Sequence, residues 1–243
     1  MSLVVTVYVR EGIVMAADSR LTLNRQEKKN ESAVVNLLAV GQSDSNYKLF
    51  LAPSGIGIAA YGAADIQGVP IGGFVESFMV SELNDGTEGI ERIAEKVLEH
   101  FATYSPVPRT YFHVAGYSES EGVAEQEVWL VDVGKHKTSK LNPPGQQGAL
   151  WGGESDILTR LLLPVARIDE SGKAGSKVPF YQIPWNFFTL QDAIDFAVFS
   201  VRSTIEAIRF QPRAKTVGGP IDVLVIKPED AIWVQRKKLQ VGS

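Results

Sequence analysis

Residues 3–17, LVVTVYVREGIVMAA, read as two apolar runs separated by a short polar turn. The first run, Leu3–Val9, is rich in β-branched residues, which favour strands. Glu11 and Gly12 supply the turn and Ile13–Ala17 continues as the second run, so the pattern predicts a β-hairpin. This hairpin starts within two residues of the first residue of the chain.

Seven further strands are predicted from short apolar runs bounded by turn signals. A polar stretch, Asn24–Lys29, follows the hairpin, and the pattern of the next segment, Ser32–Asn46, favours neither helix nor strand. The predicted strands are Lys48–Ala52, Ile56–Tyr61, Thr110–Gly116, Glu127–Val133, Lys137–Leu141, Ile221–Ile226 and Ala231–Gln235.

Four helical segments are also predicted. Pro70 and the glycine pair Gly72 and Gly73 are expected to break or kink the first segment. In the second, apolar residues repeat with the helical period, so one face is expected to be buried. Thr189 and Asp192 have the spacing of a capping box at the start of the fourth. The segments are Ala63–Leu83, Glu88–Phe101, Ser155 to about Val165, and the stretch after Thr189.

The predicted elements follow the order strands, two helices, strands, two helices, strands. Segregated runs of this kind are typical of an α+β fold rather than of alternating βαβ units. Two sheets packed face to face, each covered by a pair of helices, would bury every apolar face. The chain shows no internal repeat, no low-complexity segment and no linker, so a single domain over residues 1–243 is predicted.

The composition excludes several classes of protein. The 243 residues have 44% hydrophobic and 21% charged content, which is typical of globular proteins. With 24 Lys and Arg against 28 Asp and Glu, the net charge of −4 argues against a basic surface for nucleic acid. The absence of cysteine excludes disulfides, thiolate metal sites and a cysteine nucleophile. The histidines His100, His113 and His136 lack metal-ligand spacing.

No stretch of the chain has the roughly 18 consecutive apolar residues that a membrane-spanning helix needs. The first residues lack the basic and unbroken apolar regions of a secretory signal, so a soluble protein of the cytoplasm is expected. The sequence contains no phosphate-binding loop, no dinucleotide fingerprint and no Gly-x-Ser-x-Gly motif. The common motifs for nucleotide binding and for nucleophilic catalysis are therefore absent.

Ser2 is the remaining candidate nucleophile. If Met1 is removed, Ser2 carries both a hydroxyl and an α-amine, whose unperturbed pKa is about 7.7–8.0. Such an amine can act as the general base for the hydroxyl of its own residue. The alternative is that Ser2 has no role, because serine is common at the second position of proteins.

Four blocks of the sequence carry a resemblance to a known family. They are Val7–Arg20 (VYVREGIVMAADSR), Tyr47–Phe50 (YKLF), Ala60–Gln67 (AYGAADIQ) and Gly218–Ile226 (GGPIDVLVI). In this order they resemble the opening strands, the lysine-containing strand, the glycine-rich turn and the last long strand of proteasome β-subunits. These subunits, including bacterial and archaeal homologues, belong to the N-terminal-nucleophile (Ntn) hydrolases. The resemblance spans nearly the whole chain and implies a four-layer αββα sandwich.

The resemblance implies that Ser2 attacks amide carbonyls, as the terminal threonine of the family does. It also implies that Asp18 orients Lys48, whose ammonium would stabilise the deprotonated hydroxyl and lower the pKa of the α-amine through like-charge repulsion. The alternative interpretation makes Asp18 and Arg20 a surface ion pair and Lys48 a solvated residue at a strand edge.

The backbone N–H groups that would bind the oxyanion lie, by the same resemblance, near Tyr61 and Gly62. Tyr61 stands where the family usually has glycine, which requires backbone torsions that a bulky residue can adopt. Thr22, Ala59 and Ala63 are expected around the substrate side chain, where the two alanines would leave room for a large apolar group. Alternatively, the alanines only allow a sheet and a helix to pack closely.

Several positions depart from the family pattern, beginning with serine in place of threonine as the nucleophile. The aspartate and serine that normally support the terminal amine fall on Ala214 and Val217, and a third supporting serine falls on Gly153. Thr216 and Ser155 lie near these positions but not in them. The groups that handle the proton in the family are therefore missing from their expected places.

The resemblance implies a peptidase or amidase that hydrolyses peptide bonds through Ser2 within a homo-oligomeric ring. Its substrate would be a polypeptide or peptide, and folded substrates would need a separate ATP-dependent unfoldase. No metal, organic cofactor, nucleic acid or membrane is implied. Two alternatives stay open: a catalytically inactive proteasome-like subunit with a scaffold or assembly role, and an amidase that acts on small metabolites.

Overall fold

A computed structural model describes residues 2–30, 33–53, 55–83, 88–120 and 122–238, and the following elements belong to these ranges. The strands are β1 (Leu3–Val9), β2 (Gly12–Ala17), β3 (Leu21–Asn30), β4 (Ala33–Ser43), β5 (Leu49–Leu51), β6 (Gly57–Gly62), β7 (Asp65–Ile66), β8 (Val69–Pro70), β9 (Thr110–Ser120), β10 (Val123–Asp132), β11 (Lys137–Lys140), β12 (Gly148–Gly153), β13 (Ala166–Ile168), β14 (Ala174–Lys177), β15 (Asp222–Ile226) and β16 (Ala231–Gln235). The helices are α1 (Ile71–Glu82), α2 (Ile90–Ala102), α3 (Asp156–Leu162) and α4 (Leu190–Arg209).

The predicted hairpin, β1–β2, lies at the centre of a five-stranded antiparallel sheet with the order β12-β1-β2-β15-β16. Every residue of the two strands is buried. Leu3, Val5 and Val7 pack with α4 on one face, whereas Val4 and Tyr8 point to the opposite face. Burial on both faces explains why both runs are apolar at nearly every position.

A second five-stranded antiparallel sheet has the order β11-β10-β9-β6-β5. One of its faces packs against α1 and α2 in an apolar cluster that includes Ile58, Phe78, Phe101 and Phe112. Side chains alternate between the two faces along β6 and β9. Those that do not point to the helices therefore point to the opposite face of the sheet. Helices and sheets therefore combine into a mixed α and β fold, as the order of predicted elements indicates.

The two sheets contact each other through a third apolar cluster. Met15 and Leu224 of the first sheet pack in it with Leu49 and Ala59 of the second. The approach is closest at Gly57, where a Cβ atom would lie 2.5 Å from the sulfur of Met15. Only glycine lets the two sheets meet at this distance without a local shift.

The first predicted helix is shorter in the structure than in the sequence pattern. α1 begins at Ile71, directly after Pro70, and the residues before it form the short β7–β8 pair. Proline has no N–H to donate, so it is tolerated at the start of a helix and not inside it. Gly72 and Gly73 lie in the first turn and do not break the helix. α3 ends at Leu162, short of its predicted end.

The capping box predicted at the start of α4 is confirmed. The N–H of Asp192 donates to Thr189 Oγ1 (3.2 Å), and the N–H of Thr189 donates to Asp192 Oδ2 (2.8 Å). Ala193, Ala197 and Val201 then form the buried stripe of this helix, which packs on β1 and β2. None of the helices in the described ranges is long and apolar enough to cross a membrane.

Several strands are absent from the sequence prediction. β3 and β4 form a long two-stranded ribbon in a region whose pattern is polar or undecided; Ser32 lies outside the described residues. β13 and β14 form a second short ribbon. β12 has the sequence GALWGG, and glycine is depleted in strands. β12 nevertheless pairs with β1 and therefore defines the surroundings of Ser2.

Thr6 and His113 make a polar contact between the two sheets. Thr6 Oγ1 lies 3.0 Å from His113 Nδ1, and both residues are buried. Burial lowers the pKa of His113 to about 3, because desolvation disfavours the imidazolium. The imidazole is therefore neutral in the folded protein at ordinary pH.

The burial of His113 should make the free energy of unfolding fall in acid. An unfolded chain protonates a histidine at a pH of about 6.5. Between that value and about 3, the unfolded state binds one more proton, so His113 lowers stability by up to about 1.4 kcal/mol for each pH unit of acidification. Chemical denaturation at pH 7 and pH 5 measures the change in the free energy of unfolding between these two values. In His113→Gln this change should be smaller than in the parent protein by the contribution of His113.

The exposed His136 provides the control. The variant His136→Gln should keep the pH dependence of the parent protein, because the side chain at this position lies outside the core and outside the contact with Thr6. If His113→Gln also keeps the full slope, the assignment of a buried neutral imidazole is wrong.

Candidate active site

Asp18 follows β2, and its buried carboxylate accepts four hydrogen bonds. Oδ1 accepts from the backbone N–H of Leu3 (2.9 Å) and from Lys48 Nζ (2.6 Å). Oδ2 accepts from the backbone N–H groups of Arg20 (3.1 Å) and Gly218 (3.0 Å). The carboxylate thus joins four segments that are distant in sequence, and these donors compensate for the loss of its hydration.

Lys48 is 2% exposed and forms a buried ion pair with Asp18. Burial lowers the pKa of Lys48, the charge of Asp18 acts in the opposite direction, and the nearby ammonium of Lys237 lowers the pKa further. Lys48 Nζ and the N–H of Leu3 share one oxygen at 2.6 and 2.9 Å, so the two nitrogens are at most 5.5 Å apart. The ammonium therefore lies beside the backbone that follows Ser2.

This geometry disagrees with the alternative in which Asp18 and Arg20 form a surface ion pair. The guanidinium of Arg20 instead makes two hydrogen bonds to Asp44, at 2.6 and 2.7 Å. The same pairing lowers the pKa of Asp44. The guanidinium also fills the space that a side chain at Gly218 would need. The structure brings Asp18 and Lys48 together in the interior, as the resemblance implies.

Ser2 continues the line of β1 and is 3% exposed. Its carbonyl accepts the N–H of Glu154 at 2.8 Å, next to the pair formed by Leu3 and Gly153. Gly153 has a φ of +99°, and a Cβ atom there would lie 1.8 Å from the carbonyl oxygen of Ser2. A serine at this position, as in the family, would collide with the backbone carbonyl of Ser2. Met1 lies outside the described residues.

Glu154 is a residue of this region that the sequence does not predict. Its carboxylate accepts hydrogen bonds from Thr216 Oγ1 (2.8 Å) and Arg213 Nη1 (3.0 Å). Arg213 also donates to Asp156 Oδ1 (3.1 Å). Thr216 and Arg213 are 62 and 59 residues away from Glu154 in the chain, so no local motif could indicate this cluster.

The expected supporting positions have no polar side chain to offer the amine. Val217 is buried in the apolar cluster with α4. The carbonyl of Ala214 accepts the N–H of Thr216 at 3.0 Å. Ser155 precedes α3 and makes no side-chain hydrogen bond to that helix. The polar side chains of Thr216, Glu154 and Arg213 lie in this region instead.

Tyr61 lies within β6, and the left-handed backbone conformation falls on Gly62, with a φ of +100°. A bulky residue is therefore accommodated at position 61. The ring of Tyr61 stacks on Tyr111, with centroids 5.2 Å apart, and occupies the space that a side chain at Gly152 would fill. Burial raises the pKa of Tyr61, so the phenol stays neutral.

The three residues expected to form a substrate pocket have different surroundings. Thr22 is 5% exposed, and its hydroxyl has no hydrogen-bond partner among the described residues. Ala63 is half-buried at the end of β6. Ala59 is fully buried in the cluster between the sheets. Ala59 therefore allows the two sheets to pack closely, whereas the alternative interpretation expected the alanines between a sheet and a helix.

No family model matches this chain, and no curated protein matches it. Two solved structures of Anbu from Hyphomicrobium sp. strain MC1 are similar to it. A Gly-1 mutant has 15% identity and a TM-score of 0.58 over 96% of this chain and 85% of its own. The other Anbu structure has 13% identity and a TM-score of 0.57 over 97% and 88%.

The fold is proteasome-like. Anbu is a proteasome-like bacterial protein related to the Ntn hydrolases, and at these identities the similarity concerns the fold alone. Within the described ranges, no group of three or more His, Asp and Glu side chains could hold a metal ion.

The burial of the Lys48–Asp18 pair predicts a large loss of stability when the lysine is removed. Lys48→Met should lower the free energy of unfolding by about 3–5 kcal/mol, because Asp18 would remain charged in the interior without its cation. Urea denaturation at pH 7 measures the change.

Arg160→Ala is the matched control, since it breaks a mostly exposed pair with Asp156 at a similar N–O distance of 3.0 Å. That variant should change the free energy of unfolding by about 0.5 kcal/mol or less. Equal small effects of the two substitutions would contradict the buried position of Lys48.

Proposed function

We propose that the chain is an N-terminal-nucleophile peptidase or amidase that uses Ser2 within a homo-oligomeric assembly in the cytoplasm. The observation that carries this proposal is the oxygen of Asp18 shared between Lys48 Nζ and the N–H of Leu3. A protein in which well-packed apolar residues replace a buried ion pair is often equally or more stable. Stability alone therefore gives little reason for such a pair beside Ser2. Buried charges of this kind are frequent at catalytic sites.

The reaction would begin after Met1 is removed. The α-amine of Ser2 takes the proton of its own hydroxyl while Oγ forms a bond to the substrate carbonyl carbon. The amine then passes this proton to the leaving nitrogen as the C–N bond breaks, which leaves an ester on Ser2. Water hydrolyses the ester by the same sequence of proton transfers. The ammonium of Lys48 would stabilise the negative charge that develops on Oγ.

Binding of the substrate is proposed at the end of β6 and the start of β3. Backbone N–H groups near Tyr61 and Gly62 would hold the oxyanion. The unsatisfied hydroxyl of Thr22 supports a polar contact to a bound peptide. Ala63 remains a candidate for the pocket wall. Ala59, which is buried between the two sheets, would shape the pocket without lining it.

The proteasome-like fold supports the assembly part of the proposal. The three apolar clusters, one between the sheets and one between each sheet and its helices, are those expected of a four-layer αββα sandwich. Proteasome-like neighbours are compatible with oligomeric assembly. Polypeptides or peptides would be the substrates, and a separate ATP-dependent unfoldase would be needed for folded ones.

A second candidate is a catalytically inactive proteasome-like subunit with a scaffold or assembly role. The observation in its favour is the apolar character of Val217 and Ala214, which stand where the family has amine-supporting side chains. Val217 is also buried in the apolar cluster beneath α4, so a polar side chain at this position would lower the free energy of unfolding.

The mass of the intact protein, with and without a β-lactone or epoxyketone electrophile, distinguishes these two candidates. An active enzyme should have lost Met1 and should gain the mass of one electrophile. Ser2→Ala should abolish the adduct, and Lys48→Met should slow its formation by at least about 100-fold, because the charge that develops on Oγ would lose the cation that stabilises it.

The Arg160→Ala variant should form the adduct at the rate of the parent protein, because Arg160 is exposed and makes its ion pair with Asp156 on the surface of α3. Retention of Met1 with no adduct would rule out the enzyme and leave the inactive subunit.

Native mass spectrometry tests the assembly. The proposal expects a closed oligomer of many copies at micromolar concentration, because proteasome-like subunits would enclose the site in a ring. A monomer over the whole concentration range would contradict the ring and would favour an amidase for small metabolites if the adduct is also formed.

A further inference from the structure

Ser2 and Glu154 lie opposite each other at the end of the β1–β12 ladder. Leu3 pairs with Gly153. Ser2 precedes Leu3 and Glu154 follows Gly153, and the N–H of Glu154 donates a hydrogen bond to the carbonyl of Ser2. The regular strand geometry ends at Gly153, whose φ is +99°, so the chain leaves the ladder at Glu154 while its backbone N–H stays bound to Ser2. Glu154 is thus a backbone neighbour of the candidate nucleophile.

The carboxylate of Glu154 is held in place by two donors. Thr216 Oγ1 binds one of its oxygens and Arg213 Nη1 binds the other. The side chain of Glu154 is 12% exposed, and Thr216 is 3% exposed. Because both oxygens are bound and the surroundings are largely buried, the group has a defined orientation and little conformational entropy left to lose.

The segment that carries these donors also reaches the other carboxylate of the site. Thr216 donates to Glu154, and two residues later the N–H of Gly218 donates to Asp18. Asp18 in turn accepts the N–H of Leu3. The backbone around Ser2 is therefore bound on both sides: the carboxylate of Asp18 accepts the N–H of Leu3, and the backbone N–H of Glu154 donates to the carbonyl of Ser2.

We propose that Glu154 is the positioning residue for the α-amine of Ser2, and that its carboxylate accepts a hydrogen bond from that amine once Met1 is removed. The inference rests on the proposed function of Ser2. The inference assigns the support of the α-amine to Glu154, which Thr216 and Arg213 hold in place. The residues at the positions expected from the family, Ala214, Val217 and Gly153, have no polar side chain to give this support. Glu154 acts through the amine and makes no bond to the substrate.

The charges around the amine fix the direction of the effect. Glu154 stabilises the ammonium form, whereas Lys48, held by Asp18, opposes it. Arg213 binds the carboxylate of Glu154 and also that of Asp156. Removing the charge of Glu154 should therefore lower the pKa of the α-amine and make it a weaker proton acceptor.

The test uses the chain that starts at Ser2, prepared by cleavage of a removable leader directly before that residue. NMR titration of the ¹⁵N-labelled serine amine measures its pKa in the parent protein, in Glu154→Gln and in Asp156→Asn. Glutamine keeps the shape of the side chain and an oxygen for Thr216 Oγ1, but it loses the ion pair with Arg213, so the free energy of unfolding of each variant is measured alongside. We expect the pKa of the amine to fall by about one unit in Glu154→Gln.

Asp156→Asn is the matched control, because it removes a carboxylate that binds the same Arg213 but lies on α3. It should shift the pKa of the amine by no more than about 0.3 units, since this charge is partly exposed and screened. The rate of acylation by the β-lactone, compared at a pH at which the amine is deprotonated in every variant, should fall at least about 10-fold in Glu154→Gln, because the amine is a weaker base and has lost its positioning contact, and should recover in part in Glu154→Asp.

The two readouts separate this inference from the proposed function. A shift of the pKa in Glu154→Gln without acylation of the parent protein would support the contact with the amine and reject the enzyme. Equal values of the pKa in the parent protein and in Glu154→Gln would overturn the inference, whatever the rate of acylation.

Discussion

The carboxylate of Asp18 is the interaction on which the rest of the site depends. It binds the start of β1 through Leu3, the segment after β2 through Arg20, and the segment before β15 through Gly218, and it holds the buried ammonium of Lys48. Without it, three backbone N–H groups and one cation would lose their partner in the interior. The position of Ser2 is therefore set by an electrostatic contact and not only by the sheet.

Glycine makes this arrangement possible at two points. Gly153 must be glycine because the carbonyl of Ser2 passes where its Cβ would be, and its backbone has a positive φ. Gly218 must be small because the guanidinium of Arg20, bound to Asp44, fills the same space. Both positions have a steric reason that concerns residues far away in the chain.

The elements that local pattern determines are predicted well from the sequence. The β1–β2 hairpin follows from two apolar runs, and α4 follows from its capping box and buried stripe. β12 is missed, because its glycines carry no strand signal until β1 supplies the hydrogen bonds. Asp18 and Lys48 come from the family resemblance and not from their spacing, since carboxylates and lysines are too numerous for spacing to select them. Glu154 follows only from the pairing of two strands far apart in sequence.

The departures from the family pattern form a consistent set when the structure is considered. One supporting serine falls on Gly153, and the polar residue that the structure supplies is the next one, Glu154. Another falls on Val217, and the polar residue is the previous one, Thr216. Each polar group is thus displaced by one residue, and the two displaced groups bind each other at 2.8 Å. The proposed positioning role of Glu154 gives a reason for this bond, because the hydroxyl of Thr216 fixes the carboxylate that would bind the amine.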